Sequence, residues 1–199
     1  MRVLITGANG MVGKEIVYLL SKVKKYKLFL FTNKRVKKGK KKIKLFYQDL
    51  AKPINYKFRI DAIIHCASKN PLSKLGNSSR NIYSTNIKIT KNLIKFSNEN
   101  SVKKIIFFSA MDVYGSIKKK VLFEDQKPLT PNLYGKSKTF SEKLFCNKNN
   151  NFQTICLRLP GIFVLDLKRK RPLIISILKK IMNNENVHAF NLNDSLTIF

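Results

Sequence analysis

The chain opens with MRVLITGANGMVG at residues 1–13, an apolar stretch that runs directly into a glycine-rich loop. The apolar part predicts a short buried strand, and the helical spacing of the apolar residues that follow predicts a helix beginning at Met11. Gly7, Gly10 and Gly13 have the spacing G-x-x-G-x-x-G. In such a loop the glycines permit a tight turn, a close backbone approach to a pyrophosphate and close packing of helix on strand. The opening stretch therefore predicts a dinucleotide site at a helix N-terminus.

A second motif, YGKSK, lies at residues 134–138 in a stretch of helical periodicity. Tyr134 precedes Lys138 by four positions, so the two side chains share one face of the predicted helix. A tyrosine phenol can transfer a proton, and a neighbouring lysine supplies a fixed positive charge. Each motif alone is a weak signal, but their order and separation along one chain point to proton transfer beside a bound dinucleotide.

Several further landmarks occur in order along the chain. They are Asp49-Leu50 after a predicted strand, His65-Cys66-Ala67-Ser68 after the next, Asn86 and Thr90 on a helix, Ser109 to Gly115 at a strand end, Pro131 before the second motif, Glu142 beyond it, and Leu157-Arg158-Leu159-Pro160-Gly161. With these landmarks the chain resembles the extended short-chain dehydrogenase/reductase family over nearly its whole length. Members of that family are NAD(P)-dependent epimerases, dehydratases and reductases of nucleotide-linked sugars.

Apolar runs alternate with segments of helical periodicity. The predicted strands are Arg2–Thr6, Lys27–Phe31, Ile43–Tyr47, Ala62–His65, Lys104–Ser109 and Gln153–Arg158, and the predicted helices are Met11–Val23, Arg80–Asn98, Asn132–Cys146 and Pro172–Met182. This alternation predicts an α/β Rossmann fold, a doubly wound parallel sheet of order 3-2-1-4-5-6 with helices on both faces. We expect an NAD(P)-binding domain over residues 1–161 and the start of a small substrate-binding subdomain over residues 162–199.

The resemblance implies a role for each residue of the second motif. Tyr134 is expected to be the catalytic acid and base, and Lys138 to hold the ribose of the nicotinamide. An unperturbed phenol has a pKa of about 10. The positive charges of Lys138 and of the nicotinamide ring are expected to lower the pKa of Tyr134, because they favour the phenolate.

The third catalytic position departs from the family pattern. Relatives have Ser or Thr four residues before the tyrosine of the Val-Tyr-Gly motif, but here that position is Ala110 and Ser109 stands one place earlier. Either Ser109 orients the substrate oxygen, or that hydrogen bond is absent, at a cost of a few kcal/mol of transition-state stabilisation. Met111-Asp112 supplies one acid where dehydratases have an Asp-Glu pair, which disfavours dehydration.

The resemblance also assigns residues to the dinucleotide. They are Gly7, Asn9, Gly10, Met11, Gly13, Thr32, Asn33, Arg35, Asp49, Leu50, Cys66, Ala67, Asn86, Tyr134, Lys138 and Pro160. Within this set, Asp49 is expected to face the adenine ring and Asn86 to bridge a helix to a strand beside the cofactor. Pro160, with Gly161, is expected to let the backbone pass close to the nicotinamide amide.

The end of the second strand bears on the choice between NAD and NADP. NAD enzymes usually place an acid there to bind the ribose hydroxyls. This chain reads Thr32-Asn33-Lys34-Arg35, with no carboxylate and two cations. A 2′-phosphate would find a bidentate partner in Arg35 and a point charge in Lys34. The segment therefore favours NADP over NAD, although either cation is also explained by the abundance of lysine.

The net charge of +29 invites a nucleic-acid interpretation. However, thirty-three lysines and seven arginines are spread along most of the chain, and arginine leads in specific base readout. We therefore expect no specific nucleic-acid partner.

Cys66, Cys146 and Cys156 lack metal-ligand spacing, which favours buried, reduced thiols in the cytoplasm. No apolar run approaches the length of a membrane span, so no membrane association is expected.

The activity expected from the resemblance is hydride transfer at a sugar carbon of a nucleotide-linked sugar, by an epimerase or a keto-reductase. The alternative is a non-catalytic or decayed dinucleotide-binding relative, which Ala110 and the expected C-terminal truncation keep open. The resemblance further implies a homodimer paired through the helices Arg80–Asn98 and Asn132–Cys146. Because relatives are usually longer, the sequence is interpreted as truncated at its C-terminus, with a complete short protein as the other possibility.

Overall fold

The structure is a computed structural model that describes residues 1–33, 43–71, 79–117, 121–129, 131–160 and 180–186. Its elements in chain order are β1 (Arg2–Thr6), α1 (Met11–Ser21), β2 (Lys27–Thr32), β3 (Ile43–Tyr47), β4 (Ala62–His65), α2 (Ser79–Glu99), β5 (Lys104–Ala110), a 3₁₀ turn (Met111–Tyr114), α3 (Leu133–Phe145) and β6 (Gln153–Leu159). The predicted helix Pro172–Met182 lies mostly outside the described residues.

Within the described residues the strands form one six-stranded sheet of order β3-β2-β1-β4-β5-β6. All five neighbouring pairs are parallel. This result confirms the predicted α/β doubly wound fold and its strand order. In such a sheet the strand order reverses between the neighbours β1 and β4, and the carboxyl ends of these two strands border the crevice where ligands bind.

Two apolar clusters cover the two faces of the sheet. On one face α1 contributes Ile16, Val17 and Leu20 against Val3, Ile5, Leu28 and Leu30. On the other face α2 and α3 contribute Ile89, Leu93, Phe96 and Phe145 against Leu4, Phe29, Phe31, Ile63, Ile105 and Phe107. Strands buried on both faces need near-continuous apolar sequence, which is what β1, β2 and β4 have.

The helix ends differ from prediction by one or two residues. Helix α1 ends at Ser21 because its last turn tightens: the N–H of Lys22 bonds to the carbonyl of Leu19, three residues back. Helix α3 begins at Leu133 because the side chain of Asn132 accepts a hydrogen bond from the N–H of Gly135 at 2.7 Å. Asn132 is therefore the N-cap of α3.

Contacts between Cα atoms divide the chain into two compact units, Met1–Gly161 and Ile162–Phe199. The first unit contains all ten elements named above. The interpretation of the second unit as the start of a substrate-binding subdomain stays a prediction. No helix among the described residues has both the length and the apolar character that a membrane crossing requires.

Candidate active site

The glycine loop lies between β1 and α1, at the carboxyl edge of the sheet. Gly7 has φ of +69°, and a Cβ at this position would lie 2.7 Å from the backbone nitrogen of Ala67. A Cβ on Gly13 would lie 2.2 Å from the carbonyl oxygen of Gly7. Glycine is therefore required at Gly7 by backbone conformation and by the close loop after β4, and at Gly13 by packing of the helix on the loop.

The first turn of α1 has no side-chain cap. Its N-cap is Gly10, which offers no side chain to accept a hydrogen bond, and the first turn contains no acidic residue. The N–H groups and positive helix end are thus available to an anionic ligand. Asn9, in the same loop, donates a hydrogen bond to the hydroxyl of Thr32 at the end of β2. This contact brings together Asn9 and Thr32, and the assignment of both to the cofactor stays a prediction.

The end of β4 is held to β1 by a buried hydrogen bond. Nδ1 of His65 lies 2.6 Å from Oγ1 of Thr6, and the His65 ring stacks on Phe107. Burial, with a smaller contribution from Lys138, lowers the pKa of His65 to about 3, so His65 is neutral at physiological pH. Burial raises the pKa of the neighbouring Cys66 to about 12. The side chains of His65 and Cys66, which lie beside the glycine loop, are therefore uncharged at neutral pH.

Buried polar side chains join α2 to α3. Asn86 Nδ2 donates to Oγ of Ser137 at 3.0 Å, and Thr90 Oγ1 lies 2.7 Å from Oγ of Ser141. Asn86 also bonds the backbone of Lys69 in both directions, at 2.8 and 3.0 Å. Asn86 therefore links the loop after β4 to the helix that carries the second motif. The prediction was a bridge from a helix to a strand, but the contacts of Asn86 are with a loop and with helix α3, and its role beside a cofactor stays a prediction.

Tyr134 lies in the first turn of α3 and is half-buried. Burial raises the pKa of its phenol; a hydrogen bond with Ser68 opposes this and the charge of Asp112 adds to it. The expectation that Lys138 lowers the pKa of Tyr134 below its ordinary value is therefore wrong in this chain. The reason is that burial disfavours the charged phenolate, while Lys138 Nζ bonds the carbonyl of Phe108 and lies 5.7 Å from the centre of the Tyr134 ring.

Lys138 is almost fully buried, with 4% of its surface exposed. Its Nζ donates to the carbonyl oxygen of Phe108 at 2.7 Å and lies 4.7 Å from the centre of the Phe107 ring. Burial lowers the pKa of Lys138 to about 8, against the raising effects of Cys66, Glu142 and Asp112. A buried ammonium can make up to three hydrogen bonds. Lys138 therefore retains donors for a ligand at the end of β5.

Ser109 lies on the same face of β5 as Ile105 and Phe107, the face that α3 covers. Strand β5 continues through Ala110, so the two neighbours point to opposite faces and Ser109 does not turn out of the strand. The Ser109 hydroxyl is buried and has no hydrogen-bond partner among the described residues. Such an unpaired buried hydroxyl fits a group that a bound molecule would complete.

Arg158 of β6 is one of the sequence landmarks, and the sequence predicted no role for it. Its guanidinium donates to both carboxylate oxygens of Glu142 at 2.8–3.3 Å and to the hydroxyl of Tyr114 at 2.9 Å. It also donates to the carbonyl oxygen of Glu124 at 2.6 Å. An arginine between two leucines of a predicted strand, with a glutamate on the adjacent helix, is the signal that could have predicted this cluster.

Other assigned residues have different roles or lie elsewhere. Asp49 is exposed, and its carboxylate accepts a hydrogen bond from the N–H of Ala51, while Leu50 is buried in the core. Asn33 and Pro160 are exposed, and their assignment to the dinucleotide stays a prediction. Lys34, Arg35 and Gly161 lie outside the described residues. The expectation of buried thiols is wrong for Cys146, which is exposed, while Cys66 and Cys156 are half-buried.

Many side chains of α2 and α3, the helices expected at a dimer interface, are buried within the chain. They include Ile82, Asn86, Thr90, Leu93 and Ser97 on α2 and Phe145 on α3. They pack on the sheet or join α2 to α3, because one face of each helix must cover the sheet. Phe140 remains exposed, at the edge of an apolar hollow of about 310 Å³ that Tyr83, Pro131 and Leu133 also line.

Over the described residues, no three potential ligands come together as a metal site.

A parallel sheet with a glycine loop after β1, and a tyrosine–lysine pair facing the end of β5, defines a Rossmann protein of the short-chain dehydrogenase/reductase class. The chain belongs to the NAD dependent epimerase/dehydratase family, whose model matches residues 3–194. Among curated relatives, UDP-glucose 4-epimerase of Halalkalibacterium halodurans is 28% identical over 166 residues, which are 79% of this chain and 50% of the relative. GDP-6-deoxy-D-talose 4-dehydrogenase of Aggregatibacter actinomycetemcomitans is 28% identical over 167 residues, 80% of this chain and 52% of the relative.

Solved structures share the fold. UDP-glucuronic acid 4-epimerase from Bacillus cereus, in complex with NAD, superposes with a TM-score of 0.76 at 21% identity, covering 93% of this chain and 64% of that one. A UDP-galactose 4-epimerase superposes with a TM-score of 0.75 at 20% identity, covering 94% and 64%. The chain thus spans about half the length of the first two curated relatives and under two thirds of these solved chains.

Proposed function

We propose that this chain binds a nicotinamide dinucleotide at the loop Gly7–Gly13 and acts in hydride transfer at a sugar carbon of a nucleotide-linked sugar, as part of an epimerase or a keto-reductase. The observation that carries the proposal is the buried Lys138, one helical turn after Tyr134, with its ammonium at the end of β5. A bound dinucleotide would accept hydride from the sugar carbon or return it. The glycine loop and the N–H groups of α1 would hold its pyrophosphate.

Tyr134 supplies the proton. Burial raises its pKa, so the phenol is protonated at neutral pH and suited to donate to a ketone oxygen. In the opposite direction the phenolate takes the hydroxyl proton, and this direction should be favoured by higher pH. A bound positive charge beside Tyr134 would lower its pKa and assist that step.

Lys138 supplies a fixed cation and further hydrogen-bond donors. With a pKa of about 8 it is mostly protonated at pH 7, and its bond to the carbonyl of Phe108 fixes the direction of the amine. Asn86 holds the middle of the motif through Ser137. These contacts orient the Tyr134–Lys138 face of α3 before any ligand binds, which limits the reorganisation needed during reaction.

A second candidate is a dinucleotide-binding protein without turnover. It is favoured by Ala110, which stands where relatives have a hydroxyl. The two candidates make different predictions. Both predict dinucleotide binding, and only the enzyme predicts that Tyr134→Phe abolishes conversion of a sugar.

The choice of dinucleotide belongs to the proposal as well. The absence of a carboxylate in Thr32-Asn33-Lys34-Arg35 supports NADP, whereas the family is described as NAD dependent and the Bacillus cereus structure holds NAD. Parallel titrations with NADPH and NADH decide between them. NADPH binding that is tighter, and that weakens more than NADH binding in Arg35→Ala, supports the NADP preference; NADH binding at least as tight contradicts it.

We further propose a cytoplasmic homodimer formed through the outer faces of α2 and α3, for which the exposed Phe140 and its hollow provide apolar surface. Specific nucleic-acid binding and membrane association are not part of the proposal. Light scattering over a range of protein concentrations tests the dimer. A monomer mass at every concentration contradicts it.

Turnover tests the main proposal directly. The protein is incubated with NAD or NADP and, in turn, with UDP-glucose, UDP-galactose and a dTDP-linked sugar, and the sugar products are resolved by chromatography and NMR. We expect slow conversion of at least one sugar and its loss in Tyr134→Phe. Lys136→Ala is the matched control, because Lys136 is exposed on the same helix turn. Binding of dinucleotide without any conversion would instead select the second candidate.

A further inference from the structure

Arg158 joins three parts of the first unit through one guanidinium. Its partners are Glu142 on α3, the hydroxyl of Tyr114 at the end of the 3₁₀ turn, and the carbonyl of Glu124. Both ionic side chains are largely buried, with exposed fractions of 26% for Arg158 and 11% for Glu142. A planar guanidinium presents its donors in a fixed fork, so a lysine could keep the charge at this position but not all these bonds.

These partners flank the candidate active site. Glu142 is one helical turn beyond Lys138 and two beyond Tyr134, so all three lie along one face of α3. The 3₁₀ turn follows directly on Ser109 and Ala110, and its Asp112 carbonyl approaches Gly135 so closely that a Cβ there would lie 2.1 Å away. The guanidinium therefore ties the catalytic face of α3 to the turn on the other side of the site.

The charges of Arg158 and Glu142 also affect the protonation of Lys138. Lys138 is faced by His65 and Cys66 from the end of β4, by Asp112 from the 3₁₀ turn, and by Tyr134 and Glu142 from its own helix. Glu142 is one of the acids that stabilise the charged form of Lys138. Because Arg158 neutralises Glu142 at 2.8 Å, removing either partner changes the field at Lys138, and the two removals act with opposite sign.

We propose that Arg158 is a positioning residue for the Tyr134–Lys138 pair, acting through Glu142 and Tyr114 to set the place and the charge environment of the catalytic face of α3. The proposal rests on the proposed function for what the pair does, but not for how the pair is held. Arg158 itself touches neither the dinucleotide site nor the reacting atoms in this account.

The experiment uses the full chain with lysine labelled with ¹³C at the ε-carbon, so that NMR follows the titration of each amine. The Lys138 signal is assigned as the one lost in Lys138→Arg. The variants are Glu142→Gln, Arg158→Met and Arg158→Lys, and the affinity for NADH and NADPH is measured for each by fluorescence. Arg59→Lys is the matched control, because Arg59 pairs with Asp61 at the surface at 3.6 Å with 79% of its side chain exposed.

We expect Lys138 to titrate at lower pH in Glu142→Gln and at higher pH in Arg158→Met, because the first leaves an unpaired cation and the second an unpaired anion. In Arg158→Lys the titration should stay near that of wild type. Dinucleotide affinity in that variant should nevertheless fall by roughly ten- to a hundredfold, since small displacements of ligand-holding groups have effects of that order. Arg59→Lys should change neither quantity.

A merely structural role would move the Lys138 titration in the same direction in both neutral variants, or leave it unchanged, and either result overturns the proposal. If Arg158→Met does not fold, Arg158→Lys decides: weakened binding with an unaltered Lys138 titration supports the proposal, and wild-type affinity overturns it. If wild-type protein binds neither dinucleotide, the proposed function fails. In that case the titrations of Glu142→Gln and Arg158→Met still decide the positioning role.

Discussion

Replacing Gly13 by alanine tests the packing of α1 on the glycine loop. The added Cβ would lie 2.2 Å from the carbonyl oxygen of Gly7, 2.8 Å from its carbonyl carbon and 3.0 Å from Cα of Ala8. Since a relaxed carbon–oxygen contact is about 3.3 Å, loop and helix must separate by about 1 Å. That movement also disturbs the 2.8 Å hydrogen bond from Gly10 N–H to the same Gly7 oxygen.

Two effects of opposite sign determine the result. Alanine is favoured over glycine inside a helix by about 1 kcal/mol. Overpacking against atoms that cannot rotate away costs typically 1–3 kcal/mol, here near the upper end because all three contacts are with backbone. The net loss is roughly 1–2 kcal/mol, which lowers the melting temperature by roughly 2–8 °C for a chain of this size.

Thermal melts by circular dichroism and NADH titrations measure both consequences. Dinucleotide affinity should fall by more than about tenfold, because the displaced loop is the one that would hold the pyrophosphate. This loss is larger than the small loss of stability would cause by itself. Lys14→Ala, at the exposed next position, should be within about 0.5 kcal/mol of wild type. A Gly13→Ala protein that melts at or above wild type and binds NADH equally well would refute the reasoning.

Three further predictions concern single side chains. Asn132→Ala removes the cap bonded to Gly135 N–H and should destabilise the protein by about 1 kcal/mol in urea unfolding. Asn132→Ser keeps a cap acceptor without placing a second carboxylate beside Asp112, and should restore most of the loss. Equal stability of all three proteins would contradict the cap. His65 has a pKa of about 3 in the folded chain, against 6.5 when unfolded. Between these two values the unfolded chain binds more protons than the folded one. The free energy of unfolding should therefore decrease as the pH is lowered from 6.5 toward 3, by at most about 1.4 kcal/mol per pH unit. Melts of His65→Gln should show a shallower dependence, and an unchanged slope would contradict the assignment. Ser109→Ala removes a buried unpaired hydroxyl and should be neutral or stabilising by up to about 1 kcal/mol while slowing any turnover, whereas clear destabilisation would mean that the hydroxyl is paired.

The strands of this fold were readable from the sequence because a doubly covered parallel sheet needs continuous apolar runs. Three of the six predicted strands match the structure at both ends, and β2, β5 and β6 are each one residue longer. Helix ends were less accurate, since they depend on capping contacts such as that of Asn132, which compete with the helical pattern itself. The positions of Gly7 and Gly13 were predictable because their spacing reports a backbone requirement.

The electrostatics of the site could not be read from spacing. The four-residue separation of Tyr134 and Lys138 places both on one face of α3, but it does not reveal that Lys138 bonds the carbonyl of Phe108. Burial, which only the packed structure gives, outweighs the nearby charge and raises the pKa of Tyr134. Likewise, Arg158 acts through partners 16 and 44 positions away in sequence, a separation that no local pattern encodes.

The most direct test of the central claim is a calorimetric titration of the purified chain with NADH and with NADPH, at a temperature where circular dichroism shows it folded. We expect saturable binding of at least one of them with one site per chain. Absence of binding by both dinucleotides at millimolar concentration would contradict it.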